Sequence, residues 1–244
     1  MVDSVWLEGR ISVTAAIRGR NRPVDALYVQ KGRWDRGIRG LLQTAEKAGV
    51  PVEIVDATFI AEHAEGQSHG GVLAQVGPRR LSSLDGLLSG VSNPLVVMLD
   101  GIEDPFNFGQ AVRALYAAGA SGLVVRPRNW TSAAAVVARA SAGASELVPM
   151  AVVETALEAA AFFRERGLLV ACTAKESALS LYEADLTRPL FLLIGGERRG
   201  ITRSFLDQAD MRLNIPYGRS FHYSLGAAAS AAVIAFEILR QRGL

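Results

Sequence analysis

Arg113 is the residue whose setting most invites chemistry. It stands among Ala111, Val112, Ala114 and Leu115, in a stretch too apolar to need an arginine for solubility. Such a side chain snorkels to the surface, pairs with a carboxylate, or emerges at strand ends to hold a phosphate or steer a hydroxyl. One acid, Glu197, sits in the glycine-rich turn GGERRG at 195–200. Ser220, His222, Tyr223 and Ser224 come just ahead of an alanine-rich segment that runs to Arg242. Turn glycines, a lone acid and small polar residues suit a pocket lined largely by backbone. A second set is basic: Arg18, Arg20, Arg22 and Arg33, with His69 inside GQSHGG. These arginines read either as a solvated face or as a surface for phosphates, which gives affinity without reading sequence. In an extended segment Arg18, Arg20 and Arg22 would share a side. His69 either stacks on a base or fills a turn.

Strands must end beside such residues for them to work together. LVVMLD at 95–100, LLVACTA at 168–174 and PLFLLIG at 189–195 are apolar runs suited to strands buried on both faces. Between them lie helical patterns over 109–120, 132–144 and 155–167, with Asp104-Pro105 and Asn107 supplying turn and cap chemistry. Strands alternating with helices predict a parallel α/β sheet. Ligands bind outside the carboxyl ends of such strands. That rule gathers Asp100, Thr173, the 195–200 loop and the residues after Ile215. The glycines at 195, 196 and 200 do not fit the dinucleotide fingerprint, and neither a P-loop nor a G-x-S-x-G elbow occurs.

The first eighty residues alternate in the same way. A strand or turn opens into a helix ending near residue 18, followed by strands ALYVQ (26–30), VPVEIVD and GVLAQV (71–76). Helices fall at GIRGLLQTAEKAG, stopped by Gly49, and around TFIAEHAE. Residues 78–94 turn to Pro, Ser, Gly and Asn around a short LDGLL. The expected organisation is a small α/β domain at 1–80, a linker at 81–93 and a larger α/β domain at 94–244. With 244 residues, half of them apolar, and a net charge of +2, the chain has ample material for packed cores. Cys172 is the single cysteine, so an intramolecular disulfide is excluded, and three scattered histidines give no zinc spacing. The expectation is a cytoplasmic protein without metal, leader or membrane span.

The ordered set DPFNFGQAVRALYAAG, LLIGGERRGI, NIPYG and SLGAAASAAVIAFE resembles the three motifs of the SpoU/TrmH RNA ribose 2′-O-methyltransferases, over about residues 94–244. The N-terminal region is similar to the substrate-binding domain of the ribosomal-RNA members, best at GQSHGGVLAQV. The resemblance implies a SPOUT-type parallel sheet with a C-terminal trefoil knot, an exception to the unthreaded-chain rule, preceded by a small α/β substrate-binding domain. It implies a homodimer through the knotted domain, the cofactor S-adenosylmethionine, and RNA as partner, ribosomal favoured over transfer RNA. Asn107, Arg113, Glu197 and Ser224 match its catalytic positions. With the strand-end rule, the cofactor set is Thr173, Ala174, Ile194, Gly195, Gly196, Gly200, Ile215, Ser224 and Leu225. Arg18, Arg20, Arg22, Arg33 and His69 form the RNA set. The third motif departs from the family's S-L-N: here it reads Ser224-Leu225-Gly226, after a loop one residue longer. His222, Tyr223 or Asn214 would then replace the missing amide, or the chain is an inactive RNA-binding or ribosome-assembly protein on the same fold. Gly226 also suits close backbone packing.

Overall fold

The computed structural model describes residues 5–127, 133–196 and 200–243, and its chain divides into two units. The first contains β1 (Val5–Glu8), α1 (Arg10–Gly19), β2 (Val24–Gln30), α2 (Arg36–Ala48), β3 (Val52–Val55), α3 (Ala57–His63) and β4 (Val72–Val76). Its sheet runs β1-β4-β2-β3, antiparallel except for the β2–β3 pair. Alternation along the strands sends Leu7, Leu27, Val29, Val72 and Ala74 to one face, where Val13, Ile17, Ile38 and Leu41 of α1 and α2 complete a core. The other face carries Trp6 and Tyr28, which meet Phe59 and His63 of α3 in a ring cluster. Asp35 starts α2 by accepting the Ile38 N–H at 2.8 Å, and Gly49 ends it in the left-handed region.

The first unit is not one continuous stretch. It comprises residues up to Arg80 and again 129–147, whose described part holds α5 (Ala134–Ala140) and α6 (Ala144–Leu147). Composition expected 129–147 to lie with the C-terminal domain; packing assigns it here. Ala134 and Ala138 fill the core beside α1 and α2. Two buried acids explain the attachment. Glu8 accepts the N–H groups of Glu65 and Gly66 and pairs with Arg139. Glu146 takes a two-pronged contact from Arg22, at 2.8 and 3.2 Å. Burial lowers the pKa of Arg79, while the nearby Glu146 carboxylate opposes that shift.

The second unit holds β5 (Leu95–Asp100), α4 (Pro105–Ala117), β6 (Gly122–Val125), β7 (Met150–Val152), α7 (Ala156–Glu165), β8 (Leu169–Thr173), β9 (Leu179–Ser180), β10 (Leu190–Gly195), α8 (Arg203–Leu206), β11 (Met211–Asn214) and α9 (Ala227–Gln241). The short LDGLL forms a single 3₁₀ turn at Asp85–Leu87. Seven strands lie in the order β7-β6-β5-β10-β8-β11-β9, and their described pairings are all parallel. The chain therefore forms the expected α/β fold with a parallel sheet. Phe163 of α7 stacks on Phe191 of β10, centroids 4.9 Å apart, within a core that includes Val96, Met98, Val170 and Leu193. Cys172 lies in this core, where burial pushes its thiol up to about 11, so it remains neutral. α9 packs against α4 and against β10.

Arg22 and Glu146 are 7% and 3% exposed, so removing one leaves a buried charge without its partner. Glu146→Ala should cost about 3–5 kcal/mol of stability, measured by urea denaturation. A loss below about 1 kcal/mol would mean that water reaches the pair.

Candidate functional site

The strand order brings the ends of β10, β8 and β11 together, although β9 and β10 lie between β8 and β11 in the chain. A cleft of about 980 Å³ opens there. Each strand contributes its terminal residues: Thr173 and Ala174 from β8, Ile194 to Gly196 from β10, Leu213 to Ile215 from β11. Gly200 and Ile201 form one rim, and the loop leading into α9 forms another.

Close backbone approach shapes the floor. The Gly196 N–H donates to the Asp100 carbonyl at 2.6 Å, extending the β10–β5 ladder by one residue. A Cβ on Gly196 would come within 2.1 Å of the Gly101 carbonyl oxygen. A Cβ on Gly195 would fall 2.7 Å from Ile201 and 3.0 Å from the Gly200 carbonyl carbon. Only glycine fits either position without moving backbone. The Asn214 Oδ1 is buried and has no hydrogen-bond partner among the described residues. An acceptor left unmatched in a cleft wall suits a ligand that brings an N–H or O–H. Ile194, Leu213, Ile215 and Leu225 supply apolar wall, Lys175 and Arg219 add positive charge, and Arg203 and Arg212 pair with Asp207 in the same lining. The cleft therefore suits a ligand with an apolar part, at least one donor for Asn214 and an anionic group.

The structure brings together every cofactor residue expected from the sequence: Thr173, Ala174, Ile194, Gly195, Gly196, Gly200, Ile215, Ser224 and Leu225 all line this cleft. His222, Tyr223 and Asn214, the three substitutes for the missing amide, line it as well. Gly226 is the cap residue of α9, and its carbonyl accepts the Ser230 N–H at 2.9 Å. Asp100 corrects the strand-end expectation, because it does not line the cleft. Arg126 takes its carboxylate at 2.8 Å instead. Asn107 and Arg113 are exposed on α4 and do not line the cleft either. Asp104 caps that helix by accepting the Asn107 N–H at 2.7 Å, and Arg113 makes no ion pair among the described residues. Glu197 lies outside the described residues.

The basic set separates. Arg18, Arg20 and Arg33 are exposed, but Arg22 is buried against Glu146, which withdraws it from any surface expected to meet RNA. Arg18 ends a helix and Arg20 follows it in the left-handed region, so the alternation expected of an extended segment does not arise. His69 sits in a turn, its Nδ1 accepting the Gly71 N–H at 3.0 Å. Arg203 escaped the sequence reading, whereas Arg219 falls among the residues after Ile215 that the carboxyl-end rule gathered.

A profile of the SpoU rRNA Methylase family matches residues 94–236, and one for RNA 2′-O ribose methyltransferase substrate binding matches residues 6–82. The chain belongs to the SpoU rRNA methylase family. Among similar curated proteins is the 23S rRNA (guanosine-2′-O-)-methyltransferase RlmB of Ralstonia nicotianae, 33% identical over all of this chain and 98% of that protein. The namesake from Pseudomonas aeruginosa is 33% identical over 95% of this chain and 94% of its own length. The SpoU methyltransferase AviRb from Streptomyces viridochromogenes shares the fold, with a TM-score of 0.79, 24% identity, and coverage of 98% of this chain and 90% of AviRb. A crystal structure of AviRb in complex with AdoMet matches equally well. The fold of AviRb thus extends over 98% of this chain.

Two substitutions probe the cleft. Gly196→Ala should cost about 1–3 kcal/mol of stability, because backbone must move to admit the methyl, with the loss read in thermal melting. Asn214→Ala should weaken S-adenosylmethionine about 2–10-fold by calorimetry, the worth of one neutral hydrogen bond. Unchanged affinity would remove Asn214 from the ligand's partners.

Proposed function

We propose that this chain transfers a methyl group from S-adenosylmethionine to a ribose 2′-hydroxyl of structured RNA, with ribosomal RNA favoured over transfer RNA. The observation that carries the reading is the gathering of the whole expected cofactor set in one cleft of a SpoU family member. The full-length relatives named for 23S rRNA, and the substrate-binding profile over the first unit, support ribosomal RNA. The cleft fits the donor. Apolar walls suit the adenine ring, the orphan Asn214 Oδ1 suits an amine, and Lys175 suits a carboxylate. Bound there, S-adenosylmethionine supplies an electrophilic methyl on a sulfonium.

The protein's part is to hold that methyl and the ribose in line. Oriented placement removes several kcal/mol of the barrier, and help with the hydroxyl proton is worth roughly 10²–10⁴-fold. Arginine stays protonated, so Arg113 positions the hydroxyl or the adjacent phosphate rather than acting as the base. Ser224 lies in the cleft as a further hydroxyl contact, and Asn107 and Glu197 complete the catalytic set. Arg18, Arg20, Arg33 and His69 are the remaining RNA contacts.

A homodimer reconciles Arg113 with the cleft. Within one chain Asn107 and Arg113 are exposed residues of the partly buried α4 and do not line the cleft. The packed pair α4 and α9 also leaves Phe106 54% and Phe236 48% exposed. A second copy covering that apolar surface would deliver Arg113 to its partner's donor. The knotted topology belongs to the same reading: β10 enters between β5 and β8, and the chain then crosses β8 to place β11. A cytoplasmic location suits a ribosomal-RNA substrate.

Incubation with total RNA and S-adenosylmethionine, followed by mass spectrometry of nucleosides, should reveal new 2′-O-methylation. Arg113→Ala should abolish transfer while donor affinity changes by no more than about 2-fold; wild-type turnover in that variant would sink its role. RNA binding without methylation would favour the inactive RNA-binding alternative.

A further inference from the structure

The loop between β11 and α9 is built around three aromatic rings that the sequence reading left without a role as a group. Tyr217 folds back across the loop. Its hydroxyl accepts the Leu225 N–H at 2.9 Å and donates to the Tyr223 carbonyl at 3.4 Å. The rings then run in series, Tyr217 to Phe221 at 6.1 Å and Phe221 to Tyr223 at 5.5 Å between centroids. Surface loops held in shape by their own side chains are often functional. This one is pinned at both ends, yet it leaves Phe221 57% and Tyr223 75% exposed. Rings held in place by a self-packed loop, and still offered to water, are prepared for an outside partner.

Two further facts narrow that partner. All three rings line the same cleft as Gly195, Ile215 and Leu225. Arg219, exposed, lies in the loop between Tyr217 and Phe221 and lines the cleft too. Flat exposed π-faces beside a cation match a nucleotide: a base stacks on the ring while its phosphate meets the guanidinium.

We propose that Phe221 and Tyr223 form the seat for the base of the nucleotide being methylated, with Arg219 taking a neighbouring phosphate. This rests on the reading of the chain as an RNA 2′-O-methyltransferase. Sequence-specific RNA recognition works mainly at loops and bulges, whose unstacked bases stack on aromatic side chains, and a base seated in this way holds its ribose beside the donor. Stacking accepts any base, because each has a π-face, and it fixes the attached ribose. The loop between Ile215 and Leu225 thereby acquires a purpose: it carries the acceptor platform next to the donor.

The test is steady-state methyl transfer to an RNA fragment carrying the mapped target, beside calorimetry with S-adenosylmethionine. Tyr223→Ala and Phe221→Ala should each raise KM for RNA about 10–100-fold. Tyr223→Phe keeps the ring and should stay within about 3-fold of wild type. The rings line the donor's cleft, so donor affinity is read beside KM, and in each variant it should change less than KM does, which also reports an intact cleft. A fragment with an abasic target should burden the wild type as Tyr223→Ala does, and add nothing to that variant. An unmoved KM in Tyr223→Ala, with wild type active, overturns the platform. So does donor affinity falling in step, because the loop would then be a cover for the donor. A wild-type chain that methylates no RNA brings down the methyltransferase reading itself, and the platform with it.

Discussion

Gly196 lies against the Gly101 backbone with no room for a side chain of its own, and the cleft is built outward from that contact. The bond from the Gly196 N–H to the Asp100 carbonyl carries the β5–β10 ladder past the strand's end. This fixes where β10 stops and where the chain turns away. β10 occupies the middle of the sheet, so its end fixes the floor on which the β8 and β11 ends converge. Small residues are needed here because peptide groups, not side chains, form the surface. Specific polar chemistry then falls to the few side chains that reach in, such as Asn214 and Ser224.

Charge is used differently in the two units. In the first, arginines that look like a continuous basic surface in sequence divide into internal and external groups. Arg22 and Arg139 neutralise the buried Glu146 and Glu8, while Arg18, Arg20 and Arg33 face solvent. Internal pairs of this kind add little net stability over apolar packing, but each member becomes indispensable to the other. In the second unit Lys175, Arg203 and Arg219 stand around a cleft with apolar walls. There Lys175 and Arg219 are placed to meet a ligand, while Arg203 pairs with Asp207 at 3.6 Å.

Much of this was legible because it depends on short-range pattern. Val96, Met98, Phe191 and Leu193 lie in continuous apolar runs, and strands buried on both faces must read that way. Asp104-Pro105 and Gly49 mark helix ends by local chemistry. The strand ends announced the cleft residues through a rule about where ligands bind in parallel sheets. What could not be read depends on distant partners. Arg22 looks like its neighbours until Glu146, 124 residues later, is placed beside it. Asp100 looks like a cleft acid until Arg126 takes it. The allegiance of α5 was equally hidden: Ala134 and Ala138 carry no mark of which core they fill.

That allegiance has a consequence for how the protein is made. The N-terminal unit lacks part of its core, and the counter-charges for Glu8 and Arg22, until residues 134–146 exist. On the ribosome, domains usually fold as they emerge, N-terminal first, with synthesis at about 5–20 residues per second. Here the first unit must wait through the synthesis of β5, α4 and β6, which belong to the second. Its completion is therefore delayed by several seconds of translation, and a nascent chain stalled before Ala134 would hold an unfinished core open to chaperones.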